Sequence, residues 1–95
     1  AESVAIAIKD NGDYQVKLHF MEPENIGVGK RVFDVVLQGE TVLRELDVAQ
    51  AAGGSRKAIV REFAATIRDQ TLRVQLSNKG KQPAILSGIE WHLKP

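Results

Sequence analysis

A chain of 95 residues with 43% apolar and 26% charged side chains suits one small domain, which buries roughly 60 to 70% of its unfolded surface; this composition excludes a disordered chain and a second domain. No apolar run approaches the roughly 20 residues that a bilayer crossing takes, so a membrane is not expected as a partner. Thirteen Lys and Arg against twelve Asp and Glu, evenly spread, leave no basic face for a phosphate backbone, and nucleic acid is not expected either.

The elements read in chain order as short strands. Val4 to Ile8 alternates with small partners, and Asn11-Gly12 supplies the positive φ of a tight turn, which predicts a first hairpin with the strand that follows. In that second strand Tyr14, Val16, Leu18 and Phe20 share one face while Gln15, Lys17 and His19 share the other, the period of a half-buried strand. Pro23, Gly27 and Gly29 make Glu22 to Lys30 a loop. Phe33, Val35 and Leu37 then resume the alternation, and Gly39-Glu40 turns the chain into Thr41 to Val48.

Ala49 to Arg56, with adjacent glycines at 53 and 54, is expected as a second long loop whose alanines can form a short helical turn. Ala58 to Ile67 and Thr71 to Ser77 are expected to form another hairpin about Asp69-Gln70, and Asn78 to Pro83 is a polar loop before the last strand, Ile85 to Leu93. Seven strands separated by turn signals point to an all-β, antiparallel β-sandwich spanning residues 1–95 as a single domain. Its three longer loops are the natural places for function.

Several stretches carry a family resemblance: Tyr14 to Glu22 in the form Y-x-V-x-L-x-F-x-E, Arg31 to Val35 as R-V-F-D-V, Gln38-Gly39 at a hairpin, Ala52-Gly53-Gly54, Lys57 to Phe63, and Gly88-Ile89-Glu90. Together they resemble the core and C-terminal part of the malectin-like carbohydrate-binding family, without the segment that members usually carry upstream of Val4. The resemblance implies a sandwich of jelly-roll type with a sugar site in the loops at one end. It also implies that ligand contacts come from an aromatic pair after the L-x-F-x-E strand and an acidic residue before the last strand. Here those places hold Glu24-Asn25 and Lys81-Gln82.

Sugar sites combine an aromatic face, on which the ring stacks, with planar polar groups that bond its hydroxyls. Phe20, Phe33 and Phe63 sit at the inward phase of their strands and are expected in the core, as is Tyr14, whose hydroxyl needs a partner. Trp91 shares the phase of Ile89 and Leu93, which says core, yet it is the one aromatic placed to serve as a stacking platform. The expected carbohydrate-binding residues are therefore Glu24, Asn25, Lys81, Gln82 and Trp91.

For catalysis the best constellation is His19 and His92 with Glu22, Asp34 and Glu90, and it lacks a nucleophile elbow, a zinc-binding helix motif or a phosphate loop. Glu22 and Glu24 lie on one loop, without the opposed placement of a glycosidase pair. Asp34, flanked by Val32 and Val36, is expected to pair with Arg31 or Arg61 or to bond loop amides. Asp10, Asn11 and Asp13 supply fewer oxygens than the about six to eight of a calcium site, and without cysteine there is no disulfide or thiolate metal site. No enzyme activity, cofactor or metal is expected.

The function expected from the resemblance is a non-catalytic carbohydrate-binding module, secreted to an extracellular or periplasmic setting. It would target a catalytic domain, in the same or an associated chain, to a glucan or related polysaccharide. The alternatives are a structural or protein-interaction sandwich that has lost the sugar site, and a fragment that needs a partner segment. The Ala-Glu start fits a processed secreted product or a domain of a longer polypeptide.

Overall fold

The alternations resolve into strands in a computed structural model that describes residues 2–22, 28–54, 56–80 and 84–94. In chain order they are β1 (Glu2–Ala7), β2 (Gly12–Met21), β3 (Val32–Leu37), β4 (Glu40–Asp47), the helical turn α1 (Val48–Ala52), β5 (Ala58–Ile67), β6 (Thr71–Asn78) and β7 (Gly88–Leu93). Two antiparallel sheets result, one ordered β1-β6-β3-β4 and the other β5-β2-β7. The expected all-β sandwich of seven strands is the fold.

The core is the interleaving of the two inner faces. Tyr14, Val16, Leu18 and Phe20 of β2 meet Phe33, Val35 and Leu37 of β3 and Leu72, Val74 and Leu76 of β6, all buried. Each large side chain so removed from water contributes about 1.5 to 3 kcal/mol. At the centre the Phe20 and Phe33 rings pack tilted, with centroids 5.9 Å apart, joining the sheets through the two motif strands. Tyr14 is buried as expected, and its hydroxyl donates to the Asp10 carbonyl at 2.7 Å. Phe63 is only partly buried, because β5 is an edge strand.

Two expected hairpins are corners between sheets instead. β1 pairs with β6, not with β2, and β5 pairs with β2, not with β6. Turn residues dictate where the chain reverses but not which strand it then pairs with. The two corners bind each other: the amide of Ile8 donates to the Gln70 carbonyl at 2.9 Å, the Gln70 amide donates to Asn11 Oδ1 at 2.7 Å, and Gln70 Nε2 donates to the Lys9 carbonyl at 2.8 Å. Asn11 thus caps the other corner, which explains its place in the sequence better than a tight hairpin does. Only β3 and β4 form the hairpin expected about residues 38–40.

The edge strand β4 carries two register shifts against β3, a device that blunts an open edge. Asp34 fixes one of them. Its carboxylate accepts the amide of Glu45 at 2.8 Å, where Glu45 takes φ 50°, and Lys79 Nζ lies 3.8 Å away. Of the partners expected for Asp34, the backbone amide is the one it has, and neither Arg31 nor Arg61 is.

Arg31 pairs elsewhere. Its Nε donates to Glu22 Oε1 at 2.8 Å, with the two side chains 5% and 1% exposed. A buried pair of this kind survives desolvation only through close geometry, and removing one member strands the other. Arg31→Met is therefore expected to lower unfolding free energy by about 3 to 5 kcal/mol in urea denaturation, whereas Arg31→Met with Glu22→Leu recovers most of that loss. Equal losses in the single and double variants would show that the pair does not matter.

Candidate functional site

The end of the sandwich that bears the long loops is built by hydrogen bonds at their bases. β2 leads into Glu22, whose carboxylate holds Arg31 at the start of β3, and the Glu22 carbonyl accepts the amide of Arg56 at 2.7 Å. Asp47, mostly buried at the end of β4, caps α1 by accepting the Gln50 amide at 3.2 Å, and its second oxygen accepts the Gly29 amide. Gly53 ends the turn at φ 76°, a conformation suited to glycine. Ala49 to Arg56 therefore contains the short helical turn that its alanines allowed, begun one residue earlier at Val48.

The third loop joins the same cluster. The amides of Lys79 and Gly80 both donate to the Val32 carbonyl, at 2.8 and 3.0 Å. A Cβ on Gly80 would lie 2.8 Å from the Lys30 carbonyl oxygen and 2.9 Å from the Val32 nitrogen, so only glycine permits this approach. The bases of the two loops expected to bind sugar are thus side by side. Glu24, Asn25, Lys81 and Gln82 themselves lie outside the described residues.

Trp91 is placed away from that cluster and away from the core. It pairs with Val16 in the middle of β2, roughly 10 Å along the strand from Gly88 at about 3.3 Å per residue. Cross-strand partners share a face, so Trp91, like Ile89 and Leu93, points to the inner side. Yet Trp91 is 37% exposed and Leu93 52% exposed. The phase expected for Trp91 was right and the burial it implied was not. β7 is an edge strand of its sheet, and of its three inward residues only Ile89 packs against the core. On the facing edge, Val4 of β1 is 44% exposed, and a small cavity of about 180 Å³ lies among Ser3, Val4, Val74, Leu76 and Leu86.

The catalytic constellation is not assembled. Glu22 is held by Arg31, Asp34 lies in the other sheet, and His92 stands opposite Gln15. His19 Nε2 and Glu90 Oε2 approach to 2.6 Å on the outer face of β2 and β7. That hydrogen bond holds the Glu90 carboxyl below the usual glutamate range. Among the described residues there is no cluster of three or more His, Cys, Asp or Glu to hold a metal. What sequence reasoning missed is the job of Glu22, Arg31 and Asp47. The signal was present in the charged residues that close one motif strand and open the next.

The family model for the malectin domain matches residues 3–90. Receptor-like protein 4 of Arabidopsis thaliana is 38% identical over 88 residues, covering 90% of this chain and 14% of that protein. A probable LRR receptor-like serine/threonine-protein kinase of the same plant is 35% identical over 83 residues, covering 81% and 8%. The chain thus spans a small fraction of these relatives.

Among solved structures, the complex of plant peptide RALF23 with FER and LLG2 contains a chain that is 25% identical, at TM-score 0.81, over 94% of this chain and 26% of that one. A Bacteroides uniformis beta-glucuronidase shares the fold at TM-score 0.82 and 17% identity, over 99% of this chain and 10% of its own. The ectodomain of ANX1 from Arabidopsis thaliana does so at TM-score 0.76 and 17% identity, over 94% and 26%. The setting of such a domain is extracellular, as expected from the sequence, and among the described residues no helix is long and apolar enough to cross a membrane.

Two outcomes follow from this geometry. Gly80→Ala is expected to cost about 1 to 3 kcal/mol, because backbone rather than side-chain atoms must move; thermal unfolding measures it, and an unchanged midpoint would refute the close approach. The Glu90 pair stabilises the fold above the unfolded-state pKa of Glu90, and the contribution fades as pH falls through the depressed folded value. In an NMR titration, His19→Ala should raise the Glu90 midpoint, and an unmoved midpoint would contradict the assigned cause.

Proposed function

Since the chain belongs to the malectin domain family, we propose that it is a non-catalytic recognition module whose ligand is a carbohydrate. The observation that carries this reading is Trp91, the protein's single tryptophan, 37% exposed on an edge strand, since an exposed aromatic is the usual platform for a sugar ring. The loops 22–30 and 78–83 supply the polar groups, with Glu24, Asn25, Lys81 and Gln82 proposed to bond hydroxyls. The bases of these loops are joined by the hydrogen bonds of Glu22, Asp47 and Val32.

The sequence expectation was finer: targeting of a glycan-active enzyme to a glucan. The likeness to the beta-glucuronidase is one of fold alone, while the receptor-like relatives support recognition as part of a larger protein. In either setting one weak site gains strength by avidity.

A second reading, a protein-interaction domain, has its own support in the apolar edge formed by Val4, Trp91 and Leu93, since uncovered apolar surface marks interaction sites. The solved relative complexed with the peptide RALF23 makes a polypeptide ligand a reasonable class.

A glycan and polysaccharide array probed with the chain and its Trp91→Ala variant separates the readings. Specific binding that falls about tenfold or more in the variant is the expected result. Silence across the array, together with concentration-dependent association in sedimentation velocity that Leu93→Glu abolishes, would replace the carbohydrate reading with the protein-interaction one.

A further inference from the structure

A cavity lies at the end of the sandwich opposite the long loops. It is a groove of about 550 Å³ where the β3–β4 turn meets the corner between β5 and β6. Its floor is aliphatic, from Leu37, Val42 and Ala65, and its rim carries Gln38, Glu40, Arg68 and Arg73. That volume falls within the range of small-molecule sites, and an apolar floor under a few placed polar groups is their usual make-up.

The walls are fixed before any ligand arrives. Gln38 takes φ 52°, and its side-chain amide donates to the carbonyls of Thr66 and Thr71 at 3.3 and 3.2 Å. The same side chain accepts the Arg73 amide at 2.6 Å, so one residue ties the hairpin of one sheet to an edge strand of the other. Arg73 Nη1 in turn donates to Asp69 Oδ2 at 2.6 Å. That bond holds the Asp69 carboxyl below its usual range. The side chains of Glu40 and Arg68, both exposed, make no hydrogen bond or ion pair among the described residues.

The charges decide the ligand class. Glu40 and Asp69 balance Arg68 and Arg73, so the groove has no net charge with which to select an ion. It offers fixed donors and fixed acceptors side by side, which suits hydroxyls, because each hydroxyl both donates and accepts. The aliphatic floor suits the C–H face of a pyranose. We propose that this groove is a second carbohydrate subsite, taking a neutral, hydroxyl-rich segment of about two sugar rings; it rests on the reading of the domain as a carbohydrate-recognition module. With no aromatic in the lining, the site is weak, with a Kd of about 1 mM. The sandwich is 40 Å in its longest dimension, so subsites at its two ends engage well-separated stretches of a polysaccharide, or two chains at once, and their avidity exceeds either site alone.

An ¹⁵N NMR titration of the full chain with cello-, laminari- and malto-oligosaccharides tests this directly. The expected result is saturable shifts of the amides of Gly39, Arg68 and Arg73, weakened about tenfold in Arg68→Ala and in Glu40→Ala, two exposed positions where the fold tolerates substitution. Shifts confined to the Trp91 indole, the β7 amides or the loop bases would overturn the groove as a subsite and leave the carbohydrate reading standing. No shift at any residue would overturn both. Groove shifts that are stronger with a uronate-containing oligosaccharide than with neutral ones would overturn the assigned ligand class.

Discussion

The arrangement of the loop end depends on one buried ion pair. Glu22 and Arg31 flank the loop between β2 and β3, and both are removed from water, which costs several kcal/mol per ion unless every polar atom is met. Among the described residues no buried side-chain polar atom lacks a partner, and the Glu22 backbone is used as well, since its carbonyl accepts Arg56. One residue therefore anchors the base of two loops. Asp47 adds a third anchor by holding Gly29 and the start of α1 together. Two strands of the β-sandwich could pair without these charges, but the loops between them would not share a common base.

The opposite end is ordered by a different device. There the chain changes sheets at residues 8–12 and again at 68–70, and Asn11 and Gln70 join these corners by backbone and side-chain bonds. Gln38 extends the same network to the β3–β4 turn. Planar amide side chains do at this end what ion pairs do at the other. An amide carries no charge, so it ties exposed turns together without the desolvation cost of burying an ion. The result is a sandwich cross-linked by hydrogen bonds at both ends, with edge strands β1 and β7 between them.

Much of this was legible in the residues. The inward set of β2 and β3 follows from alternation alone, because a period of two leaves only one register that buries Phe20 and Phe33 together. Strand partners were not legible in the same way. Asn11-Gly12 and Asp69-Gln70 carry the chemistry of tight turns, and that chemistry is equally compatible with a corner between sheets. Trp91 shows a related limit: phase gives the face toward which a side chain points, but burial depends on whether the other sheet extends over it. The ion pair of Glu22 and Arg31 escaped because the two residues are separated by a Pro- and Gly-containing loop, and nothing local announces that its ends return to one point. The separation of Trp91 from the bases of the long loops became apparent only in three dimensions.

The central claim is that the loop end is held by its buried anchors as firmly as the core itself. Native-state hydrogen exchange tests it most directly, read at the amides of Gly29, Arg56, Lys79 and Gly80, which the anchors engage. The account predicts that these amides exchange only through global unfolding, with the same opening free energy as Leu18 and Val35 in the core. Exchange at these four positions through local opening, well below the free energy of the core amides, would contradict it.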